Sequence, residues 1–571
     1  MSAPAWREVF PELAGQDDVD ALLAWADGLD DDLPPHGAPG WRSTTTGDGA
    51  DEVHDDGVFG AVVAAVVRPA VAPAVARLTA LPVVGGHPRV AARLEEAARR
   101  LVADEVVRPL MGLLAEDRAA GALVGDDPRD RYGRWVAALL SPAGWARIEA
   151  RHPDLLPRAS ALAARRADAL TDVLAATARH WDEVAPALGV PVGDQVVDVL
   201  VGGDSHGGGR SVLVLTTSSG ARCVVKPRSA AVEAGYAEFS AWLGREALGL
   251  DLPRPAVVER AGLTWVEHVA PGPTRHPDHF AMLGVHLAAL HLLRGTDVHY
   301  ENLLTDRHGR PVVVDAEALF TPSLGAAAAQ DVDATGLLST PFGEDFDFGA
   351  LDYRAGSTSP FRAWHVEGAG TDEVRFEMRP VTVDTPEALR GDRPGPGDAE
   401  AVVGALETCL ARVAAAPEEV VARVLRVFPA GRVRMILRPT MAYALVARMA
   451  THPRFTADTD RRRVLARLAV LPPAVDPVLL ASEVRQLTAG EIPAFGVDVH
   501  ADRVLDAYGR DTGVRTARSP FDDVAAAVLR VDRAHVERQV AIARASTAHW
   551  RVEPAPATGS ATTTRGGRAR A

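Results

Sequence analysis

Residues Gly295–Leu304 read GTDVHYENLL, and Arg307–Phe320 read RHGRPVVVDAEALF; the fold turns on what these two stretches do together. An aspartate, Asp297, precedes His299 and the amide of Asn302. A short apolar run, shaped as a strand, then delivers the carboxylates Asp315 and Glu317. An aspartate in that position accepts the proton of an attacking hydroxyl or orients it, while an amide and a carboxylate supply hard oxygen ligands for magnesium. Each residue alone would read as a loop-capping polar group. In this order they point to phosphoryl transfer.

Upstream, Val224–Ser229 (VVKPRS) places Lys226 at the end of a β-branched run. A kinase keeps the cation that orients nucleotide phosphates at such a place. Glu238, on the helix expected over Ala231–Leu248, is the carboxylate expected to pair with it, unless it is simply a solvated helix residue. Before them, Gly202–Val212 (GGDSHGGGRSV) holds five glycines between two expected strands. Its backbone amides suit a phosphate, although a Gly-rich hairpin turn has the same appearance.

The rest of the chain fits around this core. The 571 residues exceed one hydrophobic core, and 47% hydrophobic with 24% charged residues is a globular balance. Helical periodicity fills the first part, so residues 1–188 are expected to be a helical region. Short β-branched runs at Val196–Val201, Ser211–Thr217, Ala221–Val225 and Leu263–His268 alternate with helices over Ala231–Leu248 and Phe280–Leu293, giving a catalytic core over 189–330. An insert and helical segment are expected over 331–460, a helical part over 461–552, and a disordered tail over 553–571. The Asp392–Asp398 stretch (DRPGPGD) reads as a surface connection.

A net charge of −15 disfavours nucleic acid as a partner. The apolar run from Phe59 to Val67 meets Arg68 and Pro69, so no membrane span is expected. The first residues lack the form of a signal peptide, and the expected location is cytoplasmic. Cys223 and Cys409 are the two cysteines, too few for a disulfide framework or for the usual structural zinc sites.

Together the Gly-rich segment, VVKPRS, GTDVHYENLL and VVVDAEALF resemble the dehydratase domain of class II lanthipeptide synthetases, the LanM family. Arg432–Val446 (RVRMILRPTMAYALV), Ser482–Leu487 (SEVRQL) and Gly490–Val497 (GEIPAFGV) carry the resemblance further along the chain. It implies an α+β protein with a two-lobed, lipid-kinase-like core and large helical additions at both ends. It implies ATP and Mg2+ as cofactors and a leader–core precursor peptide as partner, whose serines and threonines are phosphorylated and then lose phosphate to become dehydroamino acids.

By the same resemblance, Asp297, His299, Asn302, Asp315 and Glu317 serve phosphorylation, and Lys226 lies near the phosphates of both steps. Asp204, His206, Arg434 and Thr440 serve elimination. Arg434 also has ordinary readings: it could bridge a carboxylate, or share a basic helix face with Arg438 four residues on. Either Lys226 or His206 could take the α-proton. No counterpart of the zinc-binding cyclase of fused relatives is expected in this sequence, so no zinc is expected and ring closure would fall to a separate cyclase or another enzyme. A kinase without elimination and a silent peptide-binding scaffold are the competing readings.

Overall fold

The computed structural model describes residues 19–29 and 58–551, apart from 326–329, 343–345, 352–357, 383–393 and the single positions 85, 203, 271, 273, 340 and 348. The tail beyond Arg551 lies outside the described residues, as does most of the connection before Gly395.

A short helix, α1 (Val19–Asp27), comes first. Then α2 (Gly60–Thr79), α3 (Pro88–Ala119), α4 (Pro128–Leu139), α5 (Pro142–Arg151) and α6 (Leu155–Ala187) form the helical region expected from the periodicity. α2 corrects the sequence reading, because it runs through Arg68 and Pro69 to Thr79. It is the one helix among the described residues long and apolar enough to cross a membrane. Its Val62, Val66, Val67, Val71, Ala74 and Leu78 recur at helical spacing and are buried in a core shared with α3 and α6. That packing overrides the local cost of the prolines, about 3 kcal/mol for one inside a helix.

The chain then builds an antiparallel sheet from β1 (Val196–Val201), β2 (Leu213–Thr217), β3 (Arg222–Lys226), β4 (Val257–Arg260) and β5 (Leu263–Glu267), in the order β1-β2-β3-β5-β4. Alternation puts Val199, Leu215, Cys223, Val225 and Trp265 on one buried face, which packs on the N-terminal helices. Trp265 donates its indole N–H to Thr177 Oγ1 at 3.2 Å, tying the sheet to α6. Cys223 and Cys409 are fully buried, and burial pushes both thiols up to about 12, as suits small core side chains.

Helix α7 (Ala231–Leu248) follows β3. Leaving the sheet, the chain enters a second core around the almost wholly buried α8 (His279–Leu292), α9 (Pro396–Ala415) and α10 (Pro417–Val427). The hairpin β6 (Leu303–Thr305) and β7 (Pro311–Val313) sits on this core, and a minimal pair, β8 (Pro341–Phe342) with β9 (Phe346–Asp347), follows.

Strands stand in the insert and also in the stretches beyond it that were expected to be helical. A hairpin, β10 (Thr358–Glu367) with β11 (Arg375–Thr382), projects from the insert. Around the helices α11 (Thr440–Ala450), α12 (Asp458–Leu465), α13 (Pro477–Thr488), α14 (Pro520–Val528) and α15 (Arg533–Ser546), a four-stranded sheet joins β12 (Arg432–Met435), β13 (Phe495–Asp498), β14 (Arg503–Asp506) and β15 (Asp511–Arg515). β12 pairs with β13 in the register Arg434↔Gly496. A partner so far along the chain leaves no local signature.

Candidate active site

Lys226 ends β3 with its ammonium turned to the junction between the sheet and the second core. It donates to Glu233 Oε2 at 2.6 Å and to Asp315 Oδ1 at 2.9 Å. Arg228 reaches the same place, lying 2.6 Å from Glu233 Oε1, 2.7 Å from Asp315 Oδ1 and 2.9 Å from Glu317 Oε2. Arg434, from β12, donates to the other oxygen of Glu317 at 2.5 Å. Three cations and three carboxylates therefore alternate along one network, drawn from the end of β3 and the turn after it, α7, the segment after β7, and β12.

The backbone holds these groups in register. Val314 N–H donates to the carbonyl of Asn302 at 2.8 Å, which sets Asn302 beside Asp315, and Arg434 N–H donates to the carbonyl of Glu317 at 2.9 Å. Asn302 gives its side-chain N–H to the carbonyl of Asp297 at 2.9 Å. Asp297 and Asp315 both adopt left-handed backbone, φ +65° and +59°. Such conformations cost of order 1 kcal/mol or more outside glycine and persist where the surroundings enforce them, which is common at reactive sites.

Charge follows the same geometry. Solvent reaches Asp315, but the protein packed around it opposes its ionisation; Lys226 and Arg228 outweigh that and hold the carboxyl at about 2. Burial likewise opposes the charge on Lys226, yet Glu233 and Asp315 raise it above the ordinary lysine value. Asp297 goes the other way. Solvent still reaches it, but the protein packed around it raises its carboxyl above the usual aspartate range, against the pull of His299 and Arg434.

Residues 152–498 match the model of a family described as a domain of unknown function, DUF4135. The chain belongs to the DUF4135 family. This domain is also found in LanM-type lanthipeptide synthetases. No curated protein matches the chain. A solved structure from Thermobifida fusca, described as a fructosamine-3-kinase, is similar over 50% of this chain and 99% of its own at 18% identity, with a TM-score of 0.16, a likeness too loose to bear on activity.

In this DUF4135 protein the residues picked from the sequence fall into two groups. Lys226, Asp315, Glu317 and Arg434 share the network, with Asp297 and Asn302 beside it. His299 caps the short turn Tyr300–Asn302, accepting from the Glu301 N–H at 3.3 Å. Asp204 and His206 are fastened elsewhere. His206 Nδ1 lies 2.7 Å from the carbonyl of Ile492, Ile492 N–H donates to the carbonyl of Ser205, and Gly208 N–H donates to Glu491 at 2.9 Å. None of these contacts reaches Lys226 or Arg434. Arg166 of α6 supports the loop from behind, donating to the carbonyl of Gly209 and to Ser211 Oγ. Thr440 is exposed at the first turn of α11.

Glu238 is a correction. It pairs at long range with Arg254 and Arg423, at 3.5 and 3.8 Å, and the partner of Lys226 is Glu233. The alternative grouping of Arg434 with Arg438 on one helix face also fails. Arg434 is on a strand, while Arg438 is buried against Glu483 at 3.1 Å. Arg228 was missed, although its place two residues beyond Lys226 was the available signal.

Magnesium fits Asn302 and Asp315. Both cationic contacts of Asp315 fall on Oδ1, which leaves Oδ2, and Asn302 has spent its amide nitrogen and keeps its oxygen. Among the described residues no three His, Cys, Asp or Glu side chains form a ready cage. Magnesium seldom needs one, being held by one or two carboxylates together with phosphate oxygens.

Proposed function

We propose that the chain is a peptide dehydratase. It transfers the γ-phosphoryl group of ATP to a serine or threonine of a ribosomal precursor peptide, then eliminates phosphate to leave dehydroalanine or dehydrobutyrine. The observation that carries this reading is the meeting of Lys226, Asp315, Glu317 and Arg434 in one network beside the strained Asp297.

In the first step the hydroxyl oxygen of the peptide bonds to the γ-phosphorus as the bond to the β-phosphate oxygen breaks. ADP leaves with the electron pair, and Asp297 receives the hydroxyl proton. Its raised affinity for a proton suits that task. Lys226 and Arg228 exchange carboxylate partners for phosphate oxygens, and Asn302 and Asp315 would hold magnesium, which would supply further positive charge against the phosphates.

In the second step a base removes the α-proton, the electron pair forms the Cα–Cβ double bond, and the Cβ–O bond breaks to release phosphate. Arg434 provides a planar fork for the departing group and Thr440 a hydroxyl donor. His206 suits the base better than Lys226. The carbonyl of Ile492 can only accept, so Nδ1 of His206 carries hydrogen and a neutral ring keeps its lone pair on Nε2. Lys226 is held charged by two carboxylates.

The separate anchoring of Asp204 and His206 favours a second reading, a kinase that installs phosphate and stops. Incubation with ATP, Mg2+ and the precursor peptide encoded beside the gene, read by intact mass, separates the two. Loss of one water per modified residue is expected; accumulation of phosphopeptide alone makes the chain a kinase, and an unchanged mass removes both readings.

A further inference from the structure

A groove of about 1050 Å³ runs between α3, the hairpin β10–β11, α11 and the segment Gly490–Ile492. It exceeds the usual range for a small-molecule pocket, about 300–1000 Å³. A smaller hollow of about 280 Å³ continues from it and ends at Asp204 and Ser205 of the Gly-rich loop. The two share Glu96, Arg100, Leu101, Asp104, Gly490 and Ile492 as lining, so one path leads from the hairpin to the loop.

The hairpin gives the groove an apolar wall. Val366 and Phe376 are cross-strand partners and Trp364 lies two residues before Val366, so the three share a face. Trp364 and Val366 remain 37% and 36% exposed, a state that large apolar side chains leave when a ligand covers them.

The charges are uneven. Along α3 the arginines at the rim are neutralised: Arg99 by Glu95 at 2.7 Å, and Arg93 by Glu96 at 3.0 Å and Asp198 at 3.1 Å. Arg108 and Arg448 are different. Arg108 donates to the carbonyl of Arg448 and lies 5.9 Å over the Trp364 ring, and neither guanidinium makes an ion pair with a carboxylate of the described residues. Burial, and then the charge of Arg448, pulls Arg108 below the ordinary arginine value. Asp104, which lines the same groove, acts on Arg448, so the two cations share one acidic neighbour and keep an excess of positive charge, and carboxylates match their planar forks.

The geometry points to this groove as the docking surface for an extended acidic peptide segment, with Arg108 and Arg448 reading its carboxylates and Trp364, Val366 and Phe376 covering its apolar side chains. The proposal rests on the reading of the chain as a peptide-modifying enzyme and names its recognition surface. A peptide seated there would be led along α3 toward Asp204.

The test is fluorescence anisotropy without ATP, using the full chain. One probe is the fluorescein-labelled precursor peptide encoded beside the gene; the other is the same peptide with every Asp and Glu replaced by Asn and Gln. The double variant Arg108→Gln/Arg448→Gln should weaken the acidic probe by about tenfold or more, as expected for loss of close charge pairs. The neutral probe should bind the unaltered chain as weakly as the acidic probe binds the variant. Trp364→Ala, with an unchanged melting temperature as the control for folding, should weaken both probes.

Equal affinity of the two probes, equal affinity of variant and unaltered chain, or displacement of the peptide by inorganic phosphate would each overturn the proposal, the last by making the cations a small-anion site. Modification of the same peptide by the unaltered chain with ATP and Mg2+, read by intact mass, keeps the outcomes distinct. If the chain neither phosphorylates nor dehydrates the peptide but binds it through the groove, the proposed function falls and the groove stands. If it modifies the peptide and the groove variants bind it normally, the groove alone falls.

Discussion

Two networks of arginine and carboxylate in this molecule are built from the same chemistry and differ in every other respect. Glu105 of α3 accepts both forks of Arg461 at 2.6 and 2.7 Å and a third bond from Arg158 at 3.2 Å, while Arg158 also meets Asp458. Glu105, Arg158 and Arg461 are all at least 90% shielded, and their backbone is unstrained α-helix. The network at Lys226 instead leaves Asp315 with a side chain 42% exposed, on left-handed backbone, with one carboxylate oxygen out of both cationic contacts. Ion pairing therefore does not mark a site by itself. Strain together with spare ligand capacity does.

The largest expected effect tests the strained side of that contrast. Asp297→Asn should reduce phosphorylation by roughly 10²–10⁴-fold, the usual contribution of a positioned proton acceptor. The melting temperature should hold, because asparagine tolerates the left-handed conformation. A single-turnover assay showing the normal rate would remove Asp297 from the chemistry.

The shielded side should respond in the opposite sense. Glu105→Gln leaves Arg461 buried without its carboxylate and Arg158 with Asp458 alone, and denaturant unfolding should register a loss of about 3–5 kcal/mol. Phosphorylation by the folded fraction should be unchanged. Were Glu317→Gln to destabilise the chain as much, the distinction between the networks would collapse.

Acidity sharpens the comparison further. Asp297 acts when ionised, and its carboxyl is raised, so phosphorylation should fail on acidification at a pH above the usual aspartate range. A profile of kcat/KM against pH whose acid limb sits within the ordinary range would count against that assignment. The smallest effect should come from Glu238→Ala, whose long surface pairs are worth under about 1 kcal/mol, with no change in rate. Glu233→Ala should lower the rate by freeing Lys226.

Glu233 and Glu238 also show where reading the sequence stops. Five residues apart on α7, they lie about 140° apart around the helix. The pattern fixed the helix ends at Ala231 and Leu248, but which carboxylate faces Lys226 depends on how α7 sits against the sheet, a tertiary fact. The strand Val196–Val201 and the order Asp297, Asn302, Asp315 were legible because they are local. β12 was not, since Arg432–Met435 becomes a strand only by pairing with Phe495–Asp498. The place of Arg438 was hidden for the same reason, its partner Glu483 lying on α13.

The bond between His206 and the carbonyl of Ile492, 286 residues further along, has a consequence for taking this protein apart. The loop between β1 and β2 owes part of its shape to a segment made long after the sheet itself. Residues 189–330 expressed alone would keep every amino acid of the Gly-rich loop and lose the wall it leans on. The excised piece is then expected to carry that loop as a fluctuating ensemble, and in the whole chain the loop is expected to lose its shape together with the segment Gly490–Ile492.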